Sequence, residues 1–319
     1  MVVKPENASL RPLPADLQEK AAQELNEKPA RVGEDIAALR EWLRKQPHLE
    51  NIKPTDQWLL TFLRGSKFSL EKSKEKLDMY YTLRSSVPEI FSDRDPLNWK
   101  IQHILKSGTY LPLKNPIKGE LTRAILVRYG VCDSSILLTD LIKVSFMIMD
   151  IMMLEDDNII VAGEVCLVDM KDMGMNVLSQ WTPTLAKKVI KGFEEALPIR
   201  MKGTLVFNMP YLFESAYNIF KTFLGQKLKD RFQVFSKQYD EMNKRVSKST
   251  LPKEYNGEDG SIDELTEYWK AKVESYRDWF LQQETVCSDE RRRPSAQQNS
   301  SELSNVGSVV GSFRKLEVD

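Results

Sequence analysis

The sequence feature that most constrains the fold is the stretch from Leu197 to Leu224, where a basic segment, an apolar run and an aromatic segment follow one another directly. The run TLVFNM at Thr204–Met209 is short, apolar and rich in strand-forming residues, with a glycine before it and a proline after it. It therefore predicts a buried central strand. From Tyr211 onward the apolar residues recur every three or four positions, which predicts an amphipathic helix with an aromatic face.

An aromatic face at helical spacing has two interpretations. Such faces usually pack into a protein core. Here, however, basic residues flank the helix: Arg200 and Lys202 precede the strand, and Lys221, Lys227 and Arg231 lie at or after the end of the helix. An apolar helix between two basic clusters is also typical of an element that docks on an anionic membrane.

Composition excludes several classes of function. The 319 residues contain 46 basic and 46 acidic side chains, so no overall field favours nucleic acid. The three cysteines lack CxxC spacing, which indicates a reducing compartment without disulfides. We find neither a signal peptide nor an apolar run of the ~18 residues that a membrane span needs, and therefore expect a soluble cytoplasmic protein.

The chain divides into three parts. Residues 14–90 show helical spacing throughout and predict a small helical lobe, in which Thr55-Asp56 caps one helix. Residues 91–283 alternate between strand and helix patterns after a proline-rich junction. Residues 284–319 are polar and include the run RRRPS ending at Ser295, so we expect a disordered tail with a candidate kinase site.

The middle part predicts an α/β domain with a largely parallel sheet. Strands are predicted at Ala124–Val131 and Ile159–Met170, and helices at Asp140–Glu155, from Thr182 and at Ile262–Gln282. The helix at Asp140–Glu155 carries two apolar stripes and several methionines. It should be buried on most of its surface, so its second stripe needs either another helix or a cavity to cover it.

No arrangement of residues suggests catalysis. The two histidines, His48 and His103, have no nucleophile or carboxylate placed to form a triad. Phosphate-binding, dinucleotide-binding and metalloprotease motifs do not occur. The acidic run at 155–157 lacks the spacing of a calcium loop. We therefore expect no catalytic residue, no metal and no cofactor.

Four segments together resemble the CRAL-TRIO (Sec14-like) family, in its branch of tocopherol transfer proteins, retinaldehyde-binding proteins and clavesins. They are DQWLLTFLRGSKFSLEKS in the helical lobe, VCLVDMKDMG, LPIRMKGTLVFNMPYLFESAYNIFKTFLGQKLKDR and LPKEYNGEDGSIDEL, within residues 14–283. The resemblance implies a helical lobe followed by a Sec14-like α/β lobe with a mostly parallel sheet, a lipid cavity and a gate helix, here residues 211–224. It also implies a non-enzymatic carrier.

The same resemblance carries site residues over to this chain. The pocket positions it implies are Ile142, Ser145, Phe146, Met149, Val168, Met173, Val189, Phe193, Leu197, Phe220 and Leu224. The phosphoinositide-binding positions are Arg200, Lys202, Lys221, Lys227 and Arg231. The gate positions are Phe213, Tyr217 and Phe223. Two departures stand out: Ser66 replaces a second arginine of the helical lobe, with Arg64 and Lys67 nearby, and Met149 replaces a small polar residue.

The resemblance thus implies a monomeric carrier that binds a hydrophobic small molecule, such as a tocopherol, a retinoid or a carotenoid. It would associate reversibly with phosphoinositide-containing membranes from the cytoplasm, without nucleic acid. One alternative is a clavesin-like trafficking or scaffold protein whose tail recruits partners. Another is an α/β enzyme with a site that shows no known motif.

Overall fold

The computed structural model describes residues 10–133, 135–209, 218, 221–222, 225–235 and 245–294, without the side chains of residues 178, 227 and 228. An all-helical lobe precedes a lobe of helices around a five-stranded sheet. The strands are β1 (Tyr110–Pro112), β2 (Arg123–Val127), β3 (Glu164–Asp169), β4 (Met201–Phe207) and β5 (Phe232–Phe235). The helices are α1 (Ala15–Leu25), α2 (Val32–Arg44), α3 (Asp56–Gly65), α4 (Leu70–Ser86), α5 (Pro88–Phe91), α6 (Trp99–Ser107), α7 (Leu138–Glu155), α8 (Asp157–Val161), α9 (Met175–Leu178), α10 (Pro183–Lys191), α11 (Gln226–Lys229), α12 (Ile262–Ser275) and α13 (Arg277–Gln283).

The sheet confirms the predicted α/β class. Its strands lie in the order β1-β2-β3-β4-β5, with β1 antiparallel to β2 and every other neighbouring pair parallel. Ile125, Cys166 and Thr204 lie side by side across the three central strands. Because side chains alternate along a strand, these residues share one face of the sheet with Glu164 and Val168.

The predicted helix starts follow from local capping. The side-chain oxygen of Thr55 accepts a hydrogen bond from the backbone N–H of Trp58 at 3.2 Å, which starts α3. The hydroxyl of Thr182 accepts one from the N–H of Leu185 at 3.2 Å, with Pro183 at the first position of α10. Each cap satisfies an N–H that the helix itself leaves without a partner.

Helix α7 is buried on most of its surface, as its two apolar stripes predicted. It contacts α5 and α6 on one side and β1 and α12 on another, and the large majority of its side chains are buried. One apolar core continues from the helical lobe through α7 to the sheet. The two lobes are therefore packed as a single body around this helix.

The predicted strand at Ile159–Met170 was wrong in its first half. Residues 157–161 form α8, and only Glu164–Asp169 are extended. The cause is Gly163, which adopts φ +89° and lies against the backbone of Arg200. A side chain at this position would be strained and would collide with that backbone, so the glycine ends α8 and turns the chain into β3.

The predicted disordered tail needs a correction at its start. Residues 284–294 pack against the helical lobe: the N–H of Asp289 donates to the carbonyl of His48, and Arg293 is buried against Asp78 at 2.7 Å. Composition predicted disorder because the segment is polar, but its polar groups find partners. Arg293 is thus not a free residue of a kinase motif, and Ser295 lies outside the described residues. The last predicted helix is also divided, into α12 and α13, by Tyr276.

Candidate ligand pocket and basic surface

The predicted pocket residues of α7 lie together on the inner side of this helix. Ile142, Ser145, Phe146 and Met149 are all buried. The ring of Phe146 packs 5.0 Å from that of Phe91 and 5.4 Å from that of Phe193, measured between ring centroids. The structure thus brings Phe146 and Phe193, predicted from different helices, into direct contact.

A glycine makes this contact possible. A Cβ atom at Gly192 would lie 3.0 Å from the end of the Phe146 ring. That separation is too short for an ordinary carbon contact, so a larger residue would push the ring away. Phe193 and Leu197 belong to the π-helical turn Gly192–Ala196 and its end, and Val189 lies one turn earlier on α10.

A lysine from the helical lobe anchors this wall. The ammonium group of Lys76, on α4, donates hydrogen bonds to the carbonyls of Glu194 (2.8 Å) and Leu197 (2.7 Å). Burial lowers the pKa of Lys76 to about 8, although the charges of Glu195 and Glu194 oppose the shift. Lys76 could not be predicted from the sequence, because nothing local shows that α4 faces this turn.

On the sheet side of the predicted pocket, two side chains of β3 are only partly buried. Cys166 and Val168 retain some accessible surface, although burial strongly raises the pKa of the Cys166 thiol. Met173, which follows β3, is buried, and the remaining predicted pocket residues, Phe220 and Leu224, lie outside the described residues.

One polar pair connects the segment after β2 to helix α7. The hydroxyl groups of Tyr129 and Ser145 are 2.8 Å apart, and Ser145 also donates to the carbonyl of Leu141 at 3.0 Å. Burial raises the pKa of Tyr129, which keeps its phenol neutral. Tyr129 lay within a predicted strand, but it follows β2, and its hydrogen bond to Ser145 shows that it faces α7.

Two of the predicted phosphoinositide-binding residues meet at one carboxylate. Arg200 and Lys202 lie 3.0 Å and 3.3 Å from Glu24 of α1, which also pairs with Lys20 at 2.8 Å. Burial opposes ionisation of Glu24, but hydrogen bonds from Lys20 and Arg200 and the charge of Lys202 outweigh it, so the pKa falls to about 2. The structure thus gathers three basic side chains around one carboxylate of the chain itself.

Arg231 extends this surface. Its guanidinium group donates to the carbonyl of Met201, the residue between Arg200 and Lys202. Lys221 is exposed, and the side chain of Lys227 lies outside the described residues, as do the gate residues Phe213, Tyr217 and Phe223. We call Lys20, Arg200, Lys202 and Arg231 the basic surface. Lys20 was missed, since no local pattern places α1 beside residue 200.

Arg64 cannot replace the second arginine that Ser66 displaces. Arg64 is buried and forms two hydrogen bonds to Glu27, at 2.9 Å and 3.0 Å, and one to Asp157 at 3.4 Å. These hydrogen bonds join α3 to the end of α1 and to the start of α8. Lys67 is exposed, and its carbonyl accepts a hydrogen bond from Asn26 at the end of α1.

Two other features are absent from the part of the chain that the structure describes, a metal site and a membrane-spanning helix. No group of three or more His, Cys, Asp or Glu side chains there is arranged to hold a metal ion. None of the helices in the described ranges combines the length and the apolar character that crossing a membrane requires.

Comparison with known proteins gives two family matches. Residues 120–257 match the CRAL/TRIO domain, and residues 28–101 match the Pinta-like UBA domain. The two matches cover most of the α/β lobe and most of the helical lobe, respectively.

Individual relatives match most of the chain. The human alpha-tocopherol transfer protein-like protein (Homo sapiens) is 31% identical over 273 residues, which cover 85% of this chain and 78% of the relative. Human clavesin-2 (Homo sapiens) is 26% identical over 241 residues, covering 75% of this chain and 73% of the relative. A crystal structure of Sfh5 superposes with a TM-score of 0.40 at 13% identity, covering 82% of this chain and 98% of that one.

Proposed function

The chain belongs to the CRAL-TRIO family, and from that premise we propose that it is a non-enzymatic carrier of a hydrophobic small molecule. It would take up and release this ligand at phosphoinositide-containing membranes, to which it binds reversibly from the cytoplasm. The ligand class is a tocopherol, a retinoid, a carotenoid or a similar molecule. The observation that supports this proposal best is the basic surface gathered around Glu24 directly beside the pocket wall.

The position of the basic surface couples it to the pocket. Leu197 is a buried residue of the pocket wall, and Arg200 follows only three residues later. The same segment therefore contributes to both sites. A membrane that binds Arg200 and Lys202 is thereby brought next to the wall of the pocket.

The energetics require such a membrane step. Burial of each CH₂ group contributes ~0.8 kcal/mol, so a ligand of ~15 to 20 carbons gains roughly 12 to 16 kcal/mol over water as an upper bound. Release into water would be very slow. A bilayer offers an apolar destination, and each basic side chain near an anionic surface contributes about 1 kcal/mol of attraction before losses.

The experiment is flotation with vesicles that contain phosphatidylinositol bisphosphate. We expect Arg200→Ala with Lys202→Ala to weaken vesicle binding while ligand affinity in solution stays nearly unchanged. The matched control is Arg44→Ala with Lys53→Ala, which removes the same charge from exposed positions of the helical lobe. Unchanged vesicle binding together with lost ligand affinity would show that the basic surface is structural.

A phosphoinositide-binding scaffold of the clavesin kind would use the same basic surface but needs no captured ligand. Solvent extraction of the purified chain discriminates the two functions. A carrier should yield a lipophilic molecule at a stoichiometry near one, whereas a scaffold should yield none and should bind partners through residues 295–319.

A further inference from the structure

A buried carboxyl group lies at the start of β3. Glu164 is 2% exposed, and its Oε2 atom has no hydrogen-bond partner among the residues that the structure describes. Burial alone raises the pKa of Glu164 to about 7. A buried carboxyl group that lacks hydrogen bonds is costly in either protonation state, so such a group calls for an explanation.

The direction of the side chain places Glu164 on the pocket side of the sheet. Side chains alternate along a strand, so Glu164 shares its face with Cys166 and Val168. Both of these residues keep some accessible surface, and Val168 is one of the predicted pocket positions. The charge of Glu164 also contributes to the raised pKa values of Cys166 and of Tyr110, a residue of β1. Four polar groups, those of Glu164, Cys166, Tyr110 and Tyr129, therefore lie close to one another.

Glu164 is also the first residue of β3. Its N–H donates to the carbonyl of Arg200 at 2.9 Å, so the residue is fixed where β3 and β4 begin. The next two residues on this face, Cys166 and Val168, lead along β3 toward Met173. A ligand lying along this strand would have one end at Glu164.

We propose that Glu164 is the polar anchor of the ligand site, where its carboxyl group hydrogen-bonds the hydroxyl group at the inner end of a long lipophilic alcohol. This inference rests on the proposed carrier function. A protonated carboxyl group donates one hydrogen bond and accepts another, which matches the one donor and the lone pairs of a hydroxyl. The ligand would thus satisfy the carboxyl group that the described protein residues leave without a partner.

The anchor predicts a preference among ligands of equal length. A site that is built to bind a hydroxyl rejects an analogue that lacks it, because the buried polar group is then left unpaired. Lipophilic alcohols should therefore bind in preference to their esters, their ethers and plain hydrocarbons. An apolar residue at position 164 should remove this preference.

The test is capture of lipids from a total cell lipid extract by the purified full chain, followed by mass spectrometry. Wild-type protein should retain hydroxyl-bearing lipophiles. Glu164→Leu should lower the ratio of hydroxyl-bearing to hydroxyl-free captured species by about tenfold or more. Glu164→Gln, which keeps a donor and an acceptor without a titrating group, should retain most of the preference.

Three outcomes separate the possibilities. An unchanged ratio in Glu164→Leu would overturn the anchor while leaving the carrier function intact, and would indicate that the carboxyl group is satisfied by buried water. Capture of nothing by any variant would overturn the carrier function and the anchor together. Thermal unfolding checks the fold: the anchor predicts that Glu164→Leu is as stable as wild type or more so, whereas a marked loss of stability would indicate a structural carboxyl group and contradict the proposal.

Discussion

The carboxylate of Glu24 lies 3.0 Å from the guanidinium group of Arg200, which follows it by 176 residues in the chain. It also accepts a hydrogen bond from Lys202 at 3.3 Å. Glu24 thus occupies the basic surface where an anionic headgroup would bind. On this account, a membrane phosphate must compete with Glu24 for the same donors.

Glu24→Gln should therefore strengthen binding to vesicles that contain phosphatidylinositol bisphosphate. A partly exposed ion pair contributes roughly 0.5 to 1 kcal/mol, so we expect an increase of about two- to fivefold. Glu19→Gln is the matched control, since Glu19 is exposed on the same helix and contacts only Gln23 among the hydrogen bonds described. Equal effects of the two substitutions in flotation would mean that net charge, rather than competition at Arg200, controls binding.

The carboxyl group of Glu164 should make stability depend on pH. Its pKa is raised from 4.5 to about 7 in the folded chain. Folding therefore favours the protonated form, and stability is lost as the pH rises from about 4.5 through 7. At about 1.4 kcal/mol per pKa unit, the loss is roughly 3 kcal/mol as an upper estimate.

The check is urea unfolding of the wild type and Glu164→Gln at pH 5 and pH 8. The variant cannot titrate, so it should be the more stable protein at pH 8 by up to about 3 kcal/mol and nearly equal at pH 5. A difference that is the same at both pH values would contradict the raised pKa. Glu24, whose pKa is lowered, acts at lower pH and cancels in the comparison.

The buried carboxylate of Asp150 helps to join the two lobes. Asp150 of α7 lies 2.7 Å from Arg84 of α4 and 2.8 Å from Arg94, and the side chains of all three are buried. Asp150→Asn would leave two buried guanidinium groups without a counter-charge. We expect a loss of about 3 to 5 kcal/mol in the free energy of unfolding.

The control for Asp150→Asn is Asp263→Asn, which makes the same chemical change at an exposed position of α12. It should alter stability by less than about 0.5 kcal/mol. A similarly small effect at Asp150 would show that Arg84 and Arg94 find other partners.

The segment at residues 284–294 should detach when its anchor is removed. Arg293 donates hydrogen bonds to Asp78 and Thr82, both at 2.7 Å. In Arg293→Ala, trypsin should cleave after Arg291 and Arg292 several-fold faster than in the wild type, because cleavage needs local opening. Mass spectrometry identifies the products.

Arg291→Ala with Arg292 retained is the comparison for this segment. Arg291 is 90% exposed and pairs only with its neighbour Asp289 among the described ion pairs. Its loss should leave cleavage after Arg292 unchanged. If both variants are cleaved at equal rates, Arg293 does not hold the segment.

The local sequence was sufficient to predict helices whose apolar residues recur at regular spacing and whose first turn is capped. The two stripes of α7 specify a helix and its burial, and the threonines at 55 and 182 specify where helices start. Gly163 was overlooked because an apolar run on both sides of it looks like one strand. Its positive φ follows from the contact with Arg200, which is distant in sequence.

The site residues that were missed are all positioned by distant parts of the chain. Glu24 and Lys20 look like an ordinary pair on an exposed helix, and Lys76 looks like a surface lysine. Arg293 looks solvated in a polar tail, although Asp78 binds it from 215 residues away. Among these residues, only Glu164 could have been noticed from the local sequence, since a charged residue inside an apolar run is unusual for a buried strand.

The most direct test of the carrier account is transfer between vesicles. Donor vesicles hold a total cell lipid extract, acceptor vesicles are made with or without phosphatidylinositol bisphosphate, and mass spectrometry follows each lipid over time. We predict that the chain accelerates movement of at least one lipophilic species, that the phosphoinositide increases this acceleration, and that Arg200→Ala with Lys202→Ala removes the increase. If no species moves faster than in protein-free samples, the chain is not a carrier.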